Sequence, residues 1–167
     1  AMMPARPKLF IFDVDGTLRW MHTPGRRYPL AVGDWSLMPN VAQVLRAIPW
    51  SAESPWLGIA SNQPGVGAGI VSEAQARGMI VDTIEEAFGI APPARLEIEM
   101  CICPDGAECS RKKPNPGMLT ELLRKFSVSC TEALYVGDQR IDAEAANRAG
   151  IKFSWAQEFF GSDPRGA

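Results

Sequence analysis

The stretch 8-KLFIFDVDGTL-18 sets two carboxylates, Asp13 and Asp15, directly behind a run of apolar residues. Leu9 to Phe12 read as a strand buried on both faces, since a short continuous apolar run is what a helix-covered parallel sheet requires. Gly16-Thr17 then signals a turn. Acidic side chains at the end of a buried strand are costly unless they are used. A plain surface turn capped by Asp13 accounts for one Asp and for the glycine, but not for the pair.

Outward from this stretch, apolar runs alternate with amphipathic helical patterns. Strands are predicted at 8–14, 56–61, 95–102, 133–138 and 150–155, and helices near 40–48, 72–88, 116–126 and 140–149. Gly89, Gly117 and Gly150 punctuate the helix ends. The alternation implies βαβ crossovers and an α/β fold with a doubly wound parallel sheet. A length of 167 residues with 46% hydrophobic content suits a single domain, 1–167, with a sizeable core. One segment breaks the pattern: 19-RWMHTPGRRYPLAVGDWSLMPN-40, rich in Pro, Gly and Trp, is expected to be a long loop or small hairpin. Long loops at strand ends are often lids or binding loops, so 19–38 is the expected specificity element.

The charge balance, 17 Lys+Arg against 19 Asp+Glu, gives no general electrostatic reason to bind nucleic acid. No apolar stretch approaches the ~20 residues of a membrane span, and no signal-peptide pattern is found. A cytoplasmic protein with no membrane partner, a monomer or small homo-oligomer, is expected. In a reducing compartment the four cysteines are thiols or metal ligands rather than disulfides.

Ligands of open α/β sheets bind at the carboxyl ends of the strands. Three more polar clusters fall there: Ser61-Asn62-Gln63 before Pro64-Gly65-Val66-Gly67, then 111-RKKPNPGM-118, then 137-GDQRIDAEAA-146. Each has work to do if the substrate is a phosphate monoester. Ser61 and Asn62, followed by small residues with free amides, would hold phosphate oxygens. Lys113 would supply a point positive charge. Asp13, Asp138 and the backbone carbonyl of Val14 would form an oxygen-rich Mg²⁺ site, with Asp15 a weaker donor and Asp142, a helical turn beyond Asp138, as support. Asp13 would then attack phosphorus, and Asp15 would act as the acid and base. Taken alone, Ser61-Asn62 reads as a turn, Lys113 as a solvated charge and Asp138 as a helix cap. Their order along the chain, each at a strand end or loop, favours the catalytic reading.

These residues resemble the haloacid dehalogenase-like phosphohydrolases, whose four motifs match 13-DVDGTL-18, Ser61, Lys113 and 137-GDQRID-142. The resemblance covers roughly residues 8 to 155 and implies a Rossmann-like sheet, Mg²⁺ and an aspartyl-phosphate intermediate on Asp13. Family members often carry a cap domain. Neither Thr17 to Trp56 nor Gln63 to Arg111 has room for one, so an open, capless site is expected.

The stretches from Ser61 to Gly67 and from Lys113 to Met118 are similar to heptose bisphosphate and histidinol phosphatases. That similarity implies a zinc loop over 101-CICPDGAECSR-111 with Cys101, Cys103 and Cys109 as candidate Zn²⁺ ligands. Arg111 stands where a last Cys is expected, and Asp105 or a water would complete the set. Polynucleotide 3′-phosphatases share the capless plan, and 33-GDWSLMP-39 and 155-WAQEFFG-161 resemble them. On that view Arg19, Arg26, Arg27, Arg111 and Lys112 would line the entrance for a nucleic acid 3′-end. A small phosphorylated metabolite, a sugar bisphosphate or histidinol-phosphate-like ester, is the favoured substrate. His22, the only histidine, is expected to be exposed and is not needed. A non-catalytic phosphate- or partner-binding protein on the same fold is the rival class, disfavoured because every one of these groups is present.

Overall fold

Strand β1 (Leu9–Phe12) turns Phe10 and Phe12 to one face and Leu9 and Ile11 to the other, and all four are buried. Alternate side chains of a strand point to opposite faces, so such a run needs cover on both sides. In the computed structural model, which describes residues 6–89 and 91–161, both covers are present. A hairpin of β2 (Arg19–Met21) and β3 (Trp35–Leu37) follows β1, pairing Trp20 with Ser36. It leads into α1 (Val41–Ala47), β4 (Trp56–Asn62), a single turn α2 (Pro64–Gly67), α3 (Glu73–Phe88) and β5 (Leu96–Cys101). After these come α4 (Gly117–Phe126), β6 (Ala133–Gly137), α5 (Arg140–Ala149), β7 (Lys152–Trp155) and α6 (Ala156–Phe160).

The main sheet runs β5-β4-β1-β6-β7 with every pairing parallel. Val41, Leu45, Ile80, Ile84 and Phe160, from α1, α3 and α6, pack with Phe10 and Phe12. Met118, Leu122, Phe126 and Ala145, from α4 and α5, pack with Leu9 and Ile11. A doubly wound α/β sheet of the Rossmann-like kind is the result, and it carries the carboxyl ends of β1, β4 and β6 to one edge. Among the described residues, only the hairpin and α1 lie between β1 and β4, and only α2 and α3 between β4 and β5. No helix among the described residues is long and apolar enough to cross a membrane.

The predicted strands and helices are present with ends displaced by no more than two residues. Two short α-helices were not expected. The Pro-Gly-Val-Gly composition of α2 reads as a turn, and α6 is too short to show a period. Tertiary contact holds α6, whose Phe160 packs against Phe12 at 5.9 Å between ring centroids. The 19–38 segment is the hairpin alternative, and Tyr28 seats it so closely on α2 that a Cβ at Gly65 would lie 2.5 Å from the tyrosine ring.

Candidate active site

Asp13 follows the last residue of β1, and its amide donates to Val136 O of the neighbouring β6 at 3.0 Å. The chain then reverses. Gly16, at φ +87°, donates its amide to Arg19 O at 2.9 Å. Val14 O accepts from the amides of Thr17, Leu18 and Arg19 at 3.2, 2.8 and 3.3 Å. Those three bonds correct one expectation: the Val14 carbonyl closes the turn from within and is not turned outward as a metal ligand.

Lys113, from the loop between β5 and α4, is 4% exposed. Its Nζ, with three hydrogens to give, lies within hydrogen-bond distance of four oxygens: Asp13 Oδ1 at 2.9 Å, Asp142 Oδ1 at 2.7 Å, the Tyr135 hydroxyl at 2.8 Å and Ala60 O at 3.1 Å. These charges raise its pKa against the opposing effect of burial. Asn62, at the end of β4, holds the Lys113 backbone at both ends: Oδ1 accepts from its amide at 3.1 Å and Nδ2 donates to its carbonyl at 3.3 Å. Asp142 is fully engaged. It accepts from Lys113, from Tyr135 at 2.7 Å and from the amides of Asp138 and Gln139, where it caps α5. Through its bond to Lys113 it supports the residue that holds Asp13.

Asp13, Asp138 and Asp142 bring a carboxylate oxygen each within 4.8 Å of one another. Thr17 Oγ1 sits 3.1 Å from Asp13 Oδ2 and 3.3 Å from Asp138 Oδ1, with one hydrogen to share between them. Burial is the first cause that raises Asp13 well above the ordinary carboxylate range, with Lys113 pulling the other way and Asp142 and Asp138 adding to the rise. Burial raises Asp138 too. Crowded, desolvated carboxylates call for a cation, and hard oxygen donors suit Mg²⁺. With Asp142 engaged, Asp13 and Asp138 are the side chains fitted to hold it.

The Asp15 carboxylate stands outside that cluster of three. Its Oδ1 accepts from Arg19 Nε at 2.7 Å and its Oδ2 from Gln63 Nε2 at 2.8 Å. Gln63 also donates to Ser61 Oγ at 2.8 Å, which leaves the buried Ser61 hydroxyl its own hydrogen. Asp13, Asp15, Asn62 and Lys113 line one cavity of about 280 Å³, with Arg27, Tyr28, Asp105 and Lys112 completing its walls. Asp105 accepts from Arg27 Nη2 at 2.6 Å and from Lys112 Nζ at 3.1 Å, joining the 19–38 segment to the loop after β5.

The expected basic entrance survives only in part. Arg19 is wholly buried, and Arg111 pairs with the buried Glu99 at 2.7 Å; neither lines the cavity. Arg27 and Lys112 remain at the cavity, and Arg26 is half-buried. His22 is exposed and bonds Ser36 Oγ across the hairpin at 2.7 Å. Thr17, Gln63 and Tyr135 were assigned no part in the site from sequence. Gln63 adjoins the recognised Ser61-Asn62, which was a usable signal; Tyr135 reads as core until its hydroxyl is seen among Lys113 and Asp142.

Cys101, Cys103 and Cys109 converge, their thiols within 4.8 Å of one another and Cys101 Sγ 3.6 Å from Cys109 Sγ. Burial pushes Cys101 up to about 12, whereas the Cys103 thiol beside Cys109 brings it down to about 7. The loop offers three of the four ligands a structural zinc takes. No fourth joins among the described residues. Asp105 is committed to Arg27 and Lys112, Arg111 to Glu99, and Cys130 lies against Gly150.

Residues 65–156 match the family model described as haloacid dehalogenase-like hydrolase. A D-glycero-beta-D-manno-heptose-1,7-bisphosphate 7-phosphatase of Rhodopseudomonas palustris is 32% identical over 161 residues, covering 90% of this chain and 83% of that protein. The heptose 1,7-bisphosphate phosphatase of B. bronchiseptica, solved with magnesium and phosphate, superposes at a TM-score of 0.74 over 87% of this chain and 78% of that one, at 23% identity. A Mesorhizobium loti structure described as a putative HAD-like phosphatase gives a TM-score of 0.68 at 25% identity, over 89% of this chain and 71% of that one.

Proposed function

Because this chain belongs to the haloacid dehalogenase-like hydrolases and is a phosphoric monoester hydrolase, we propose that it removes one phosphate from a small sugar bisphosphate through a phosphorylated Asp13. The observation that carries this reading is one cavity lined both by the buried Asp13–Lys113 pair and by Arg27 and Lys112, two cations bridged by Asp105 and suited to a second phosphate. The heptose bisphosphate phosphatases to which the chain is similar act on such a molecule by name.

In the first half of the reaction an Asp13 oxygen bonds to phosphorus while the ester P–O bond breaks. Asp15 gives its proton to the departing alkoxide oxygen. In the second half Asp15 takes a proton from water, whose oxygen bonds to phosphorus as the bond to Asp13 breaks. Lys113 holds Asp13 in line and offsets the negative charge where phosphate meets carboxylate. The Ser61 hydroxyl donates to a phosphate oxygen. Mg²⁺, held by Asp13 and Asp138, would neutralise charge on the transferring phosphoryl group. The cavity is small, and with Arg19 buried and Arg111 paired with Glu99 a nucleic acid end has less to grip than the sequence suggested.

The test is Mg²⁺-dependent phosphate release from a heptose 1,7-bisphosphate, from the matching monophosphate and from an oligonucleotide 3′-phosphate, for the wild type and Asp13→Asn. The bisphosphate is expected to be turned over fastest, and Asp13→Asn to be inactive with an unchanged circular dichroism spectrum. Faster release from the oligonucleotide would reject the substrate class. Turnover by Asp13→Asn would reject the nucleophile.

A further inference from the structure

Arg19 follows the D-x-D-G-T-L stretch, and its side chain is buried, 1% exposed. A guanidinium cannot shed its charge, so its burial demands a counter-charge and filled hydrogen bonds. Among the described residues its one ion-pair partner is Asp15, with Nε 2.7 Å from Oδ1. Nη1 donates to Met79 O at 3.0 Å and to Thr83 Oγ1 at 2.8 Å, both on α3. The guanidinium lies 5.3 Å from the ring centroid of Trp35, itself buried, on β3. From the other side Gln63, 2% exposed, donates Nε2 to Asp15 Oδ2 at 2.8 Å. Each oxygen of Asp15 therefore has one donor behind it, while the carboxylate still lines the cavity.

We infer that Arg19, braced by Thr83 and Trp35 and opposed by Gln63, is a positioning residue that holds the Asp15 carboxylate in a single orientation toward the ester oxygen. The inference rests on the acid–base part proposed for Asp15. A buried apolar residue would join the hairpin to α3 as well. What only this arginine adds is a fork from α3 to the carboxylate, and a carboxylate has lone pairs left for substrate once each oxygen is held from one side. Proton transfer is steeply sensitive to such geometry, because the donor must sit within hydrogen-bond reach of the leaving oxygen.

The experiment compares the wild type, Arg19→Gln and Asp15→Asn on two esters in a single turnover. One is p-nitrophenyl phosphate, whose leaving group departs without a proton; the other is an alkyl phosphate, whose leaving group needs one. Positioned acids and bases are worth about 10²–10⁴ in rate, so loosening Asp15 is expected to slow the alkyl ester by about 10- to 100-fold. Release of nitrophenolate should stay near the wild-type rate, and KM for the alkyl ester should barely move. Equal losses on both esters, or none on either, in a folded Arg19→Gln would overturn the inference. If Asp15→Asn cleaves the alkyl ester at the wild-type rate, the acid–base assignment of Asp15 falls instead. Thr83→Val leaves Arg19 in place and removes one brace. Should Arg19→Gln fail to fold, this variant is expected to show the same alkyl-selective loss at smaller size, and its absence would overturn the inference.

Discussion

Gly16 has no room for a side chain. A Cβ there would lie 2.1 Å from Asp138 Oδ2, at a φ of +87° that side chains avoid. The backbone alone would cost Gly16→Ala about 1–2 kcal/mol, and Asp138 would have to leave its place beside Asp13. The variant is expected to lose most Mg²⁺-dependent turnover and to need far more Mg²⁺ for half-maximal rate; an unchanged Mg²⁺ requirement would show that Asp138 does not hold the ion. Lys113 poses the opposite problem, a buried charge that cannot be removed alone. Lys113→Met strands Asp13 and Asp142 without their cation, and breaking buried pairs costs about 3–5 kcal/mol. A large drop in the urea midpoint is expected together with loss of activity; wild-type stability would mean that the carboxylates simply take up protons. The sequence marks Asp13, Asp15, Lys113 and Asp138 as a set because charged residues at strand ends are anomalous. It does not mark Tyr135, since a tyrosine in a buried strand looks the same whether its hydroxyl is used or only tolerated.

Among elements, the β2–β3 hairpin and the loop after β5 are joined through Asp105, which holds Arg27 at 2.6 Å and Lys112 at 3.1 Å. All three groups are near solvent or at the rim, so this bridge adds little to stability, as exposed ion pairs commonly do. Its value lies in keeping two cations poised at one cavity. Arg27→Gln is expected to raise KM for a sugar bisphosphate about tenfold, the loss of roughly one charge-assisted hydrogen bond to phosphate. It should leave p-nitrophenyl phosphate, which has no second phosphate, unaffected. An equal effect on both would make Arg27 a part of the catalytic phosphate site. The hairpin's presence was legible from its prolines and glycines. Which of its arginines turn inward was not, because Arg19 and Arg27 differ in what lies across from them and not in local sequence.

For the molecule as a whole, the parallel sheet gathers like charges at one edge, and that has a consequence for stability. Burial raises the folded pKa values of Asp13 and Asp138 above their unfolded ones. As pH rises from the unfolded value, the folded state binds more protons than the unfolded chain, so stability from these groups falls. Once pH exceeds the raised values, the folded chain carries both charges at full cost. Mg²⁺ binds the folded, ionised site and offsets that cost. Its addition at neutral pH is expected to raise Tm, and the increment should shrink as pH is lowered into the range where Asp13 and Asp138 hold protons. Glu132, drawn down to about 2 with Lys8 as the first cause, shifts stability the other way, so the readout is the difference with and without Mg²⁺. An increment that does not vary with pH, or none at all, would argue against these carboxylates as the site.

Local chemistry written along the chain was enough for the order of strands and helices, the doubly wound sheet and the four strand-end clusters. Apolar periodicity specifies which faces must be buried, and parallel crossovers leave little choice of where strand ends meet. Folding decided the rest: that Val14 O closes a turn, that Arg19 faces Asp15 from within, that Arg111 turns from the thiols to Glu99. Each depends on packing against another element or on the direction of a backbone carbonyl. A sequence names the donors and acceptors, but three-dimensional packing determines which of them are left to meet a substrate.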